Sequence, residues 1–466
     1  MMRRHSTRNS RNRILSALSA CSALIVVAAL VAAPDDDRGS ITLALAGDSL
    51  MTRKFSAVQD LRFQRVVDIV RGADAAFTNF EMLLHDFEPY PMNESGGTWM
   101  RGSPDVAKDL AWAGFDMVSR ANNHAGDYGV EGMRLTTKYL SAAGLVQAGV
   151  GENLDEAREA KFFESPKGRV AIVSVASTFP DHSRAGRARG GVRGRPGLSP
   201  LRFTTTYQLP APTLEALRGV ARELRMGRGD AGSDVRFLTG RFVAGDTAAI
   251  HTEPRKEDLE DVAAVVRNAS RLADKTLVTI HAHEGAPGDR TMPAEFLVTF
   301  AHAMIDAGAD VFAGHGPHVL RGIEIYKGKP ILYSLGDFVF ENDLVERLPA
   351  DAYEPFGLDA RAGVADFDDT RSDHDRRSFP ADREMWESVV ATVRWRGASL
   401  DDITLHPISL GFGRPRAERG RPVVADPQLA QKIVNDVAAR SKAFGTAVTF
   451  ENGVGRVAIQ RQSARE

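Results

Sequence analysis

Histidine, carboxylate and amide side chains gather at five points of this chain. These points are residues 46–49 (Ala-Gly-Asp-Ser), 78–81 (Thr-Asn-Phe-Glu), 121–124 (Ala-Asn-Asn-His), 280–284 (Ile-His-Ala-His-Glu) and 314–318 (Gly-His-Gly-Pro-His). Three of the points hold five of the twelve histidines, namely His124, His281, His283, His315 and His318. Because imidazole and carboxylate groups bind divalent transition metals, this set predicts a site for one or two ions such as Mn²⁺, Zn²⁺ or Fe²⁺.

Each point follows or ends a short apolar run that predicts a β-strand, and segments with helical apolar spacing alternate with these runs. The predicted strands are 41–46, 75–79, 115–119, 170–175, 276–280, 310–313, 323–326 and 331–334, and the predicted helices are 66–70, 104–113, 129–143, 259–273 and 293–307. Such alternation predicts an α/β fold with packed sheets and helices outside them. Ligands bind where the strands of such sheets end, so we expect the five points to meet.

Each point also has an interpretation without chemistry: a Gly-Asp turn, an Asn-rich turn before a helix, or polar residues at the end of a strand. Arg101 and Arg120 are candidates for binding an anionic substrate, although both also fit ordinary surface arginines. A serine nucleophile is less favoured, because neither Ser49 nor Ser334 lies in a Gly-x-Ser-x-Gly sequence.

The amino terminus has the pattern of an export signal. Residues 1–13 contain five arginines and no acid, residues 14–33 carry no charge, and small residues end this apolar run. The order is typical of a secretory signal peptide, and 20 uncharged residues also suffice for an uncleaved membrane anchor. Cys21 ends a weak lipoprotein-type sequence. These patterns predict an extracytoplasmic protein, secreted or anchored to the cytoplasmic membrane, with residues 34–40 as a linker.

Composition narrows the class of protein further. The chain has 466 residues, a formal net charge of −2 and one cysteine. The near-neutral charge argues against a nucleic-acid partner, and a single cysteine excludes an intrachain disulfide and a multi-cysteine metal site.

Two stretches break the alternation of predicted strands and helices, the Arg- and Gly-rich residues 181–197 and the Asp- and Arg-rich residues 351–383. Both are predicted to be loop insertions.

The order of the motifs resembles the CapA family of bacterial capsule-synthesis proteins, which includes the PgsA-type proteins of poly-γ-glutamate production. The motifs that carry the resemblance are Gly47-Asp48, Asn79–Glu81, Ala121–His124, His281 with Glu284, Gly314–His318 and Tyr333–Phe338. The resemblance implies a calcineurin-like metallophosphoesterase fold, in which two packed mixed β-sheets are flanked by helices. It favours a single domain over residues 41–460.

The resemblance also implies roles for individual residues. The implied metal ligands are Asp48, Glu81, Asn123, His281, His315 and His318. The implied proton donor to the leaving group is His124, and Arg101 is the candidate for binding the anion of the substrate. Leu50 stands where the family pattern has a further histidine, and His283 and Glu284 are candidates to replace it as ligands. Asp337 stands where the family often has Asn.

Three functions are compatible with these observations. The leading one is an exported factor of capsule or poly-γ-glutamate biosynthesis, which handles an anionic polymer and works beside membrane-bound polymer synthesis machinery. The second is an active extracytoplasmic metallophosphoesterase with a phosphorylated substrate, or a related metal-dependent hydrolase of a γ-amide. The third is a polymer-binding module that has the scaffold without turnover.

Overall fold

The strand Ser40–Leu50 lies inside a ten-stranded mixed sheet, called sheet 1 here. It runs parallel to Ala75–Phe80 on one side and antiparallel to Glu387–Arg396 on the other. The strands of sheet 1, in spatial order, are Val448–Glu451, Val454–Val457, Ser399–Ser409, Glu387–Arg396, Ser40–Leu50, Ala75–Phe80, Met117–Ser119 and Val146–Ala148; Asp337–Phe340 also pairs with Ser40–Leu50, and Val423–Val424 with Ser399–Ser409.

The computed structural model describes residues 39–226 and 234–459. The predicted signal or anchor segment, residues 1–33, lies outside the described residues, as does nearly all of the predicted linker. Within the described ranges, none of the helices has the length and apolar character needed to cross a membrane. The described residues belong to one compact unit that begins at Gly39.

A second mixed sheet, sheet 2, has six strands. In spatial order they are Ile323–Tyr326, Lys329–Leu332, Val311–His315, Lys275–His281, Gly168–Ala176 and Lys161–Ser165. Val311–His315, Lys275–His281 and Gly168–Ala176 are parallel to one another, and Lys329–Leu332 is also parallel to Val311–His315. Gly168–Ala176, Lys275–His281 and Val311–His315 are mostly buried. Parallel strands are typically covered on both faces, and their sequences are therefore nearly continuous runs of apolar residues.

The two sheets pack face to face through a layer of apolar side chains. Leu43 and Leu45 of sheet 1 contribute to this layer together with Ile172 and Leu277 of sheet 2. The intervening Ala44 points to the opposite face, where the helices of sheet 1 pack. Alternate residues of one strand therefore build two different core layers.

Helices cover the outer face of each sheet. Leu61–Arg71, Val106–Trp112 and Gly129–Ala142 cover sheet 1, whereas Lys256–Ala269 and Glu295–Asp306 cover sheet 2. The helix Leu61–Arg71 begins where Asp60 accepts a hydrogen bond from the backbone N–H of Arg62, and it buries Phe63, Val66, Val67 and Val70 at helical spacing. The predicted α/β fold, two packed mixed sheets flanked by helices, is confirmed.

Several elements lie outside this frame. A four-stranded sheet consists of Asp234–Phe237, Gly240–Ala244, Phe203–Leu209 and Ala249–Pro254. Two-stranded pairs join Leu83–Leu84 to Arg101–Gly102, Val150–Gly151 to Gly197–Leu198, and Gly285–Ala286 to Asp289–Pro293. The remaining α-helices are Leu154–Arg158, Ala211–Glu223, Ala350–Tyr353, Val364–Ser372, Ser378–Ala381 and Pro427–Ser441. The last of them does pack against the frame, since its Ala430, Ile433 and Val437 belong to the apolar layer shared by the two sheets.

The two predicted loop insertions differ in structure. Residues 181–197 contain little regular structure apart from the 3₁₀ turn Asp181–Ser183. Residues 351–383 were expected to be an exposed loop, but the structure has short helices there. They form because Phe367 and Phe379, only 3% and 7% exposed, pack into apolar clusters and hold the segment against the domain.

Candidate metal centre

Candidate ligands from the two sheets meet at one edge of the sandwich. Asp48 and Glu81 lie at the carboxyl ends of neighbouring strands in sheet 1. His281 and His315 are the last residues of two parallel strands of sheet 2 and lie opposite each other in the register. All four side chains are at most 1% exposed. The strand ends are therefore brought together as the alternating pattern of the sequence predicts.

Gly47 allows the first strand to present Asp48 at this edge. A Cβ atom at position 47 would lie 1.7 Å from the carbonyl oxygen of Gly336, which is far inside van der Waals contact. The register with the neighbouring strand shifts between Leu45 and Asp48. The backbone N–H of Asp48 donates to the same carbonyl of Gly336 at 3.0 Å. The close backbone approach therefore requires glycine at this position.

Asp48 lies among donors and imidazoles from both sheets. Its Oδ1 accepts a hydrogen bond from Asn79 Nδ2 at 2.7 Å, and its Oδ2 accepts one from the backbone N–H of Gly316 at 2.8 Å. Oδ1 is also 3.6 Å from Nδ1 of His281 and 3.3 Å from Nδ1 of His315. Burial opposes ionisation, but hydrogen bonds to the two histidines and their charges outweigh it and hold the pKa of Asp48 well below its usual range. Asp48 is therefore an ionised candidate ligand.

Glu81 is buried without a hydrogen-bond donor at either carboxylate oxygen. Its Oε1 lies 3.7 Å from Nε2 of His281, 3.8 Å from Nε2 of His318 and 3.8 Å from Nε2 of His124. Burial and the nearby charge of Asp48 raise the pKa of Glu81 well above its ordinary value. Buried carboxylates need a compensating partner, and a divalent cation would satisfy both oxygens.

Three sets of side chains place their ligand atoms within 4.8 Å of one another. The sets are Asp48, His281 and His315; Glu81, His281 and His283; and Asp48, Glu81 and His318. Burial lowers the pKa of His281 to about 4, so its imidazole is neutral and can donate a lone pair to a metal near neutral pH. The sets overlap, and the donor chemistry suits one or two divalent ions without thiolate ligands.

His318 has an unusual backbone conformation. Its φ angle of 57° lies in the left-handed region that favours glycine. Oδ1 of Asp337 lies 2.8 Å from Nδ1 of His318. Burial alone would lower the pKa of His318, but the charge of Asp337 outweighs it and raises this pKa. Burial raises the pKa of Asp337 itself to about 6. A strained residue that is held by a buried partner is typical of a functional site.

His124 is oriented by an acid three residues further on. It lies in the 3₁₀ turn Asn123–Gly126, and its Nδ1 is 2.7 Å from Oδ2 of Asp127. Asp127 in turn accepts hydrogen bonds from the backbone N–H groups of Gly96 and Met100. This pairing favours a proton on Nδ1, so Nε2 is left facing Glu81 as the atom that can take up or release a proton.

The two asparagines before His124 have different environments. Nδ2 of Asn122 donates to Oδ1 of Asn79 at 3.2 Å and to the carbonyl oxygen of Phe80 at 2.9 Å. Nδ2 of Asn123 donates to the carbonyl oxygen of Gly96 at 2.8 Å, and its Oδ1 is buried without a donor. Asn123, an implied ligand, lines the adjacent cleft.

Glu284 is not brought into the ligand sets. Its two carboxylate oxygens accept hydrogen bonds from Ser177 at 2.7 Å and Thr178 at 2.9 Å, which turn it away from the cluster. His283, the other candidate, does contribute: its Nε2 lies 3.0 Å from Nε2 of His281. Leu50, where the family pattern has a histidine, is buried in the apolar core.

Neither candidate arginine contacts the cluster. Arg101 donates to the carbonyl oxygen of His85 and pairs with Asp86 at 2.9 Å and Glu346 at 3.2 Å. Arg120 is fully buried and donates to Gln147 at 2.9 Å. The role of Arg101 in binding the anion stays a prediction, and in the structure two carboxylates already compensate its charge.

A cleft of about 540 Å³ opens onto the cluster. Its lining includes His124, His283 and His318 on one side and residues from the 351–383 segment on the other. No motif in the sequence marks Arg371 in this wall, and Asp127 was not among the predicted site residues. The three-residue spacing between His124 and Asp127 is the feature of the sequence that could have indicated Asp127 as a partner of His124.

Comparisons with known proteins identify relatives of this chain. The family profile described as bacterial capsule synthesis protein PGA_cap matches residues 42–342. An uncharacterized protein of Sinorhizobium fredii, y4sH, is 36% identical over 437 residues, which cover 90% of this chain and 93% of that protein. The capsule biosynthesis protein CapA of Bacillus anthracis is 25% identical over 65% of this chain and 60% of its own length.

Among solved structures, a novel phosphatase from Mycoplasma pneumoniae is 12% identical with a TM-score of 0.36, and the alignment covers 80% of this chain and 94% of that one. The family profile begins two residues after the start of the first strand and spans the candidate ligands from Asp48 to His318. Because the profile covers well over half of the sequence, the chain belongs to the family of bacterial capsule synthesis proteins described as PGA_cap.

Proposed function

We propose that this chain is an exported factor of capsule or poly-γ-glutamate biosynthesis that uses one or two divalent ions bound between Asp48 and Glu81. The observation that carries the metal site is Glu81: neither of its two buried oxygens has a hydrogen-bond donor, and Oε1 lies within 3.8 Å of three histidines. Mn²⁺, Zn²⁺ and Fe²⁺ all suit such a set of carboxylates and imidazoles. The pattern of residues 1–33 supports export, and the CapA name of its Bacillus anthracis relative supports a polymer-related role.

The geometry favours hydrolysis over simple binding. An ion held by Asp48, Glu81 and the histidines would supply Lewis acidity and lower the pKa of water. Nε2 of His124 faces the same carboxylate, while Asp127 holds the opposite ring nitrogen. His124 is thus placed to deliver a proton to a leaving oxygen or nitrogen. A module that only binds polymer would have no use for this oriented proton carrier.

The substrate we propose is an anionic polymer or a phosphorylated compound outside the cytoplasm. The two bonds that fit a metal-dependent hydrolase are the phosphoester and the γ-amide. We propose membrane-bound polymer synthesis machinery as the partner, because an exported polymer must be released, attached or trimmed where it emerges. Nucleic acid is not expected as a partner, since the net charge of the chain is −2.

The metal site is tested first by elemental analysis. We expect the chain, purified without chelator, to hold roughly one or two transition-metal ions, and His281→Ala and Glu81→Gln to lose most of them. His374→Ala is the matched control, because that side chain is 72% exposed and belongs to none of the three ligand sets. Metal-free wild-type protein, even after reloading with Mn²⁺ or Zn²⁺, would contradict the proposal.

The cellular role needs a separate test. We expect deletion of the gene to change the amount, length or attachment of the surface polymer, and the wild-type gene to restore it. A copy without residues 1–33 should fail to restore it, because the protein would stay in the cytoplasm. An unchanged polymer in the deletion strain would contradict the biosynthetic role, and restoration by the truncated copy would contradict export.

A further inference from the structure

The segment 351–383 contributes a cation to the cleft. Arg371 lies near the end of the helix Val364–Ser372 and lines the same cleft of about 540 Å³ as His124 and His318. Clefts of this volume suit small molecules or single groups of a larger substrate. A positive charge and a candidate metal cluster therefore share one binding space.

The guanidinium of Arg371 is held in one orientation. Its Nη1 donates to Oγ1 of Thr98 at 2.6 Å and to Oδ1 of Asn342 at 3.0 Å. Its central carbon lies 5.3 Å from the ring centroid of Phe379 and 5.9 Å from that of Phe367. The hydrogen bonds of Arg371 as a donor in the described ranges all use Nη1, so the N–H groups of Nε and Nη2 are available. A fixed, half-buried guanidinium with free donors is preorganised for a ligand.

The charge of Arg371 has no ion-pair partner within residues 39–226 and 234–459. By contrast, Arg290, which lines the same cleft, pairs with Asp382 and Glu384. The carboxylate of Asp343 acts on Arg371 only at longer range and is itself paired with another arginine, Arg419.

The second acid near Arg371 compensates little of its charge. Asp368 has no hydrogen-bond donor at either carboxylate oxygen, and burial raises its pKa to about 7. It therefore carries only part of a negative charge near neutral pH. A half-buried guanidinium whose charge is only partly compensated favours an anion in the space beside it.

We propose that Arg371 is the residue that binds the anionic group of the substrate in this cleft, and that this group is a carboxylate or a phosphate. The inference rests on the proposed function, since it names the group that lies beside the metal cluster. The planar guanidinium donates two parallel N–H bonds to either oxyanion, which fixes both position and orientation. The 351–383 segment thereby selects the substrate, although it supplies none of the candidate metal ligands.

The test measures anion binding and metal content separately. The full chain is loaded with Mn²⁺ and titrated calorimetrically with inorganic phosphate and, in a second arm, with a trimer of γ-linked glutamate. We expect Arg371→Gln to weaken the binding of one or both probes at least tenfold, while its metal content stays that of the wild type. Arg361→Gln is the matched control, because it removes the same charge from the same segment at a site that is 90% exposed.

The two arms distinguish the sources of the anion. Loss confined to the trimer indicates a carboxylate of the polymer, and loss confined to phosphate indicates a phosphoester. If Arg371→Gln fails to fold, the same titrations are made with Arg371→Lys. This variant keeps the charge but loses the two parallel donors, so we expect it to bind the probes several-fold more weakly than the wild type.

Other outcomes overturn the inference. They are unchanged affinities in the folded Arg371 variant with intact metal content, equal loss in Arg361→Gln, or wild-type protein that binds neither probe. In each of these cases the metal analysis still reports on the proposed function independently. Absence of metal from the wild type contradicts that function. Elemental analysis detects this absence, whereas calorimetry measures anion binding.

Discussion

Oδ1 of Asp48 lies 3.3 Å from Nδ1 of His315, and this contact joins the two sheets at the candidate metal centre. Each partner is oriented from within its own sheet: Asn79 donates to Asp48, and Thr279 Oγ1 lies 2.8 Å from the other ring nitrogen of His315. The ligand set is therefore complete only when the two sheets are packed together. Binding of a metal and stability of the sandwich must be coupled.

Removal of the metal should lower the stability of the protein. A ligand at one hundred times its dissociation constant adds about 2.7 kcal/mol to the free energy of unfolding, and the packed sheets provide the site only in the folded state. We expect chelator treatment to lower the calorimetric Tm, and Mn²⁺ or Zn²⁺ to restore it. In Glu81→Gln, which lacks a central ligand, added metal should shift Tm little. Equal Tm values for wild-type protein with and without chelator would contradict the coupling.

Gly47→Ala should destabilise the fold severely. The new Cβ would clash with the carbonyl of Gly336, so either the first strand or the segment before Asp337 must move. We expect a loss of several kcal/mol or failure to fold, because backbone atoms cannot give way cheaply. Gly219→Ala is the control: no atom lies within 4 Å of its added Cβ, and alanine in that helix should stabilise by about 1 kcal/mol. Urea denaturation of both variants measures the contrast, and a Gly47→Ala protein as stable as the wild type would contradict it.

The alternation of apolar runs and polar strand ends made it possible to predict which residues lie at the edge of the sandwich that carries the candidate metal centre. Asp48, His281 and His315 each follow or end a β-branched or apolar run, and the carboxyl ends of parallel strands necessarily lie on one side of a sheet. The positions of these residues follow from local sequence. Their packing against each other across two sheets depends on the shared apolar layer, which the sequence indicates only as alternating hydrophobicity.

Side-chain direction and long-range partners were not predictable in the same way. Glu284 directly follows His283, yet Ser177 and Thr178 from another strand end turn its carboxylate away. Nothing in the sequence around Arg101 indicates a partner, but acids 15 and 245 residues away compensate its charge. The 351–383 segment is rich in charge, but tertiary burial of residues such as Phe367 and Phe379 holds its short helices against the domain and places Arg371 in the cleft.

Asp127→Asn should separate proton transfer from metal binding. Asparagine cannot stabilise a charged His124 ring, although it retains one acceptor, so Nε2 would lose its role as a proton donor. We expect metal content to be unchanged and turnover of p-nitrophenyl phosphate or the γ-glutamate trimer to fall by about 10²-fold or more. Asp359→Asn, in an exposed pair with Arg361, should leave turnover unaltered. Equal turnover in Asp127→Asn and the wild type would remove His124 from the proposed reaction.

His406 should make the fold sensitive to acid. Burial and then the charge of Arg456 lower the pKa of His406 to about 4, below the ordinary value of 6.5, so the folded state resists protonation of this ring. The unfolded chain binds the proton first, and the free energy of unfolding must therefore fall as pH decreases from about 6.5 towards 4. One residue with this shift contributes at most about 3 kcal/mol to the loss.

The variant His406→Gln tests this dependence, because glutamine can still accept or donate a hydrogen bond near Thr392, the present partner of the ring. Urea denaturation of metal-free protein between pH 7 and 4.5 should show a shallower loss of stability in the variant than in the wild type. His374→Gln removes a 72% exposed histidine and should follow the wild-type curve. Parallel curves for His406→Gln and the wild type would show that His406 is free to take up a proton in the folded state, and the acid sensitivity would then have to come from other buried groups.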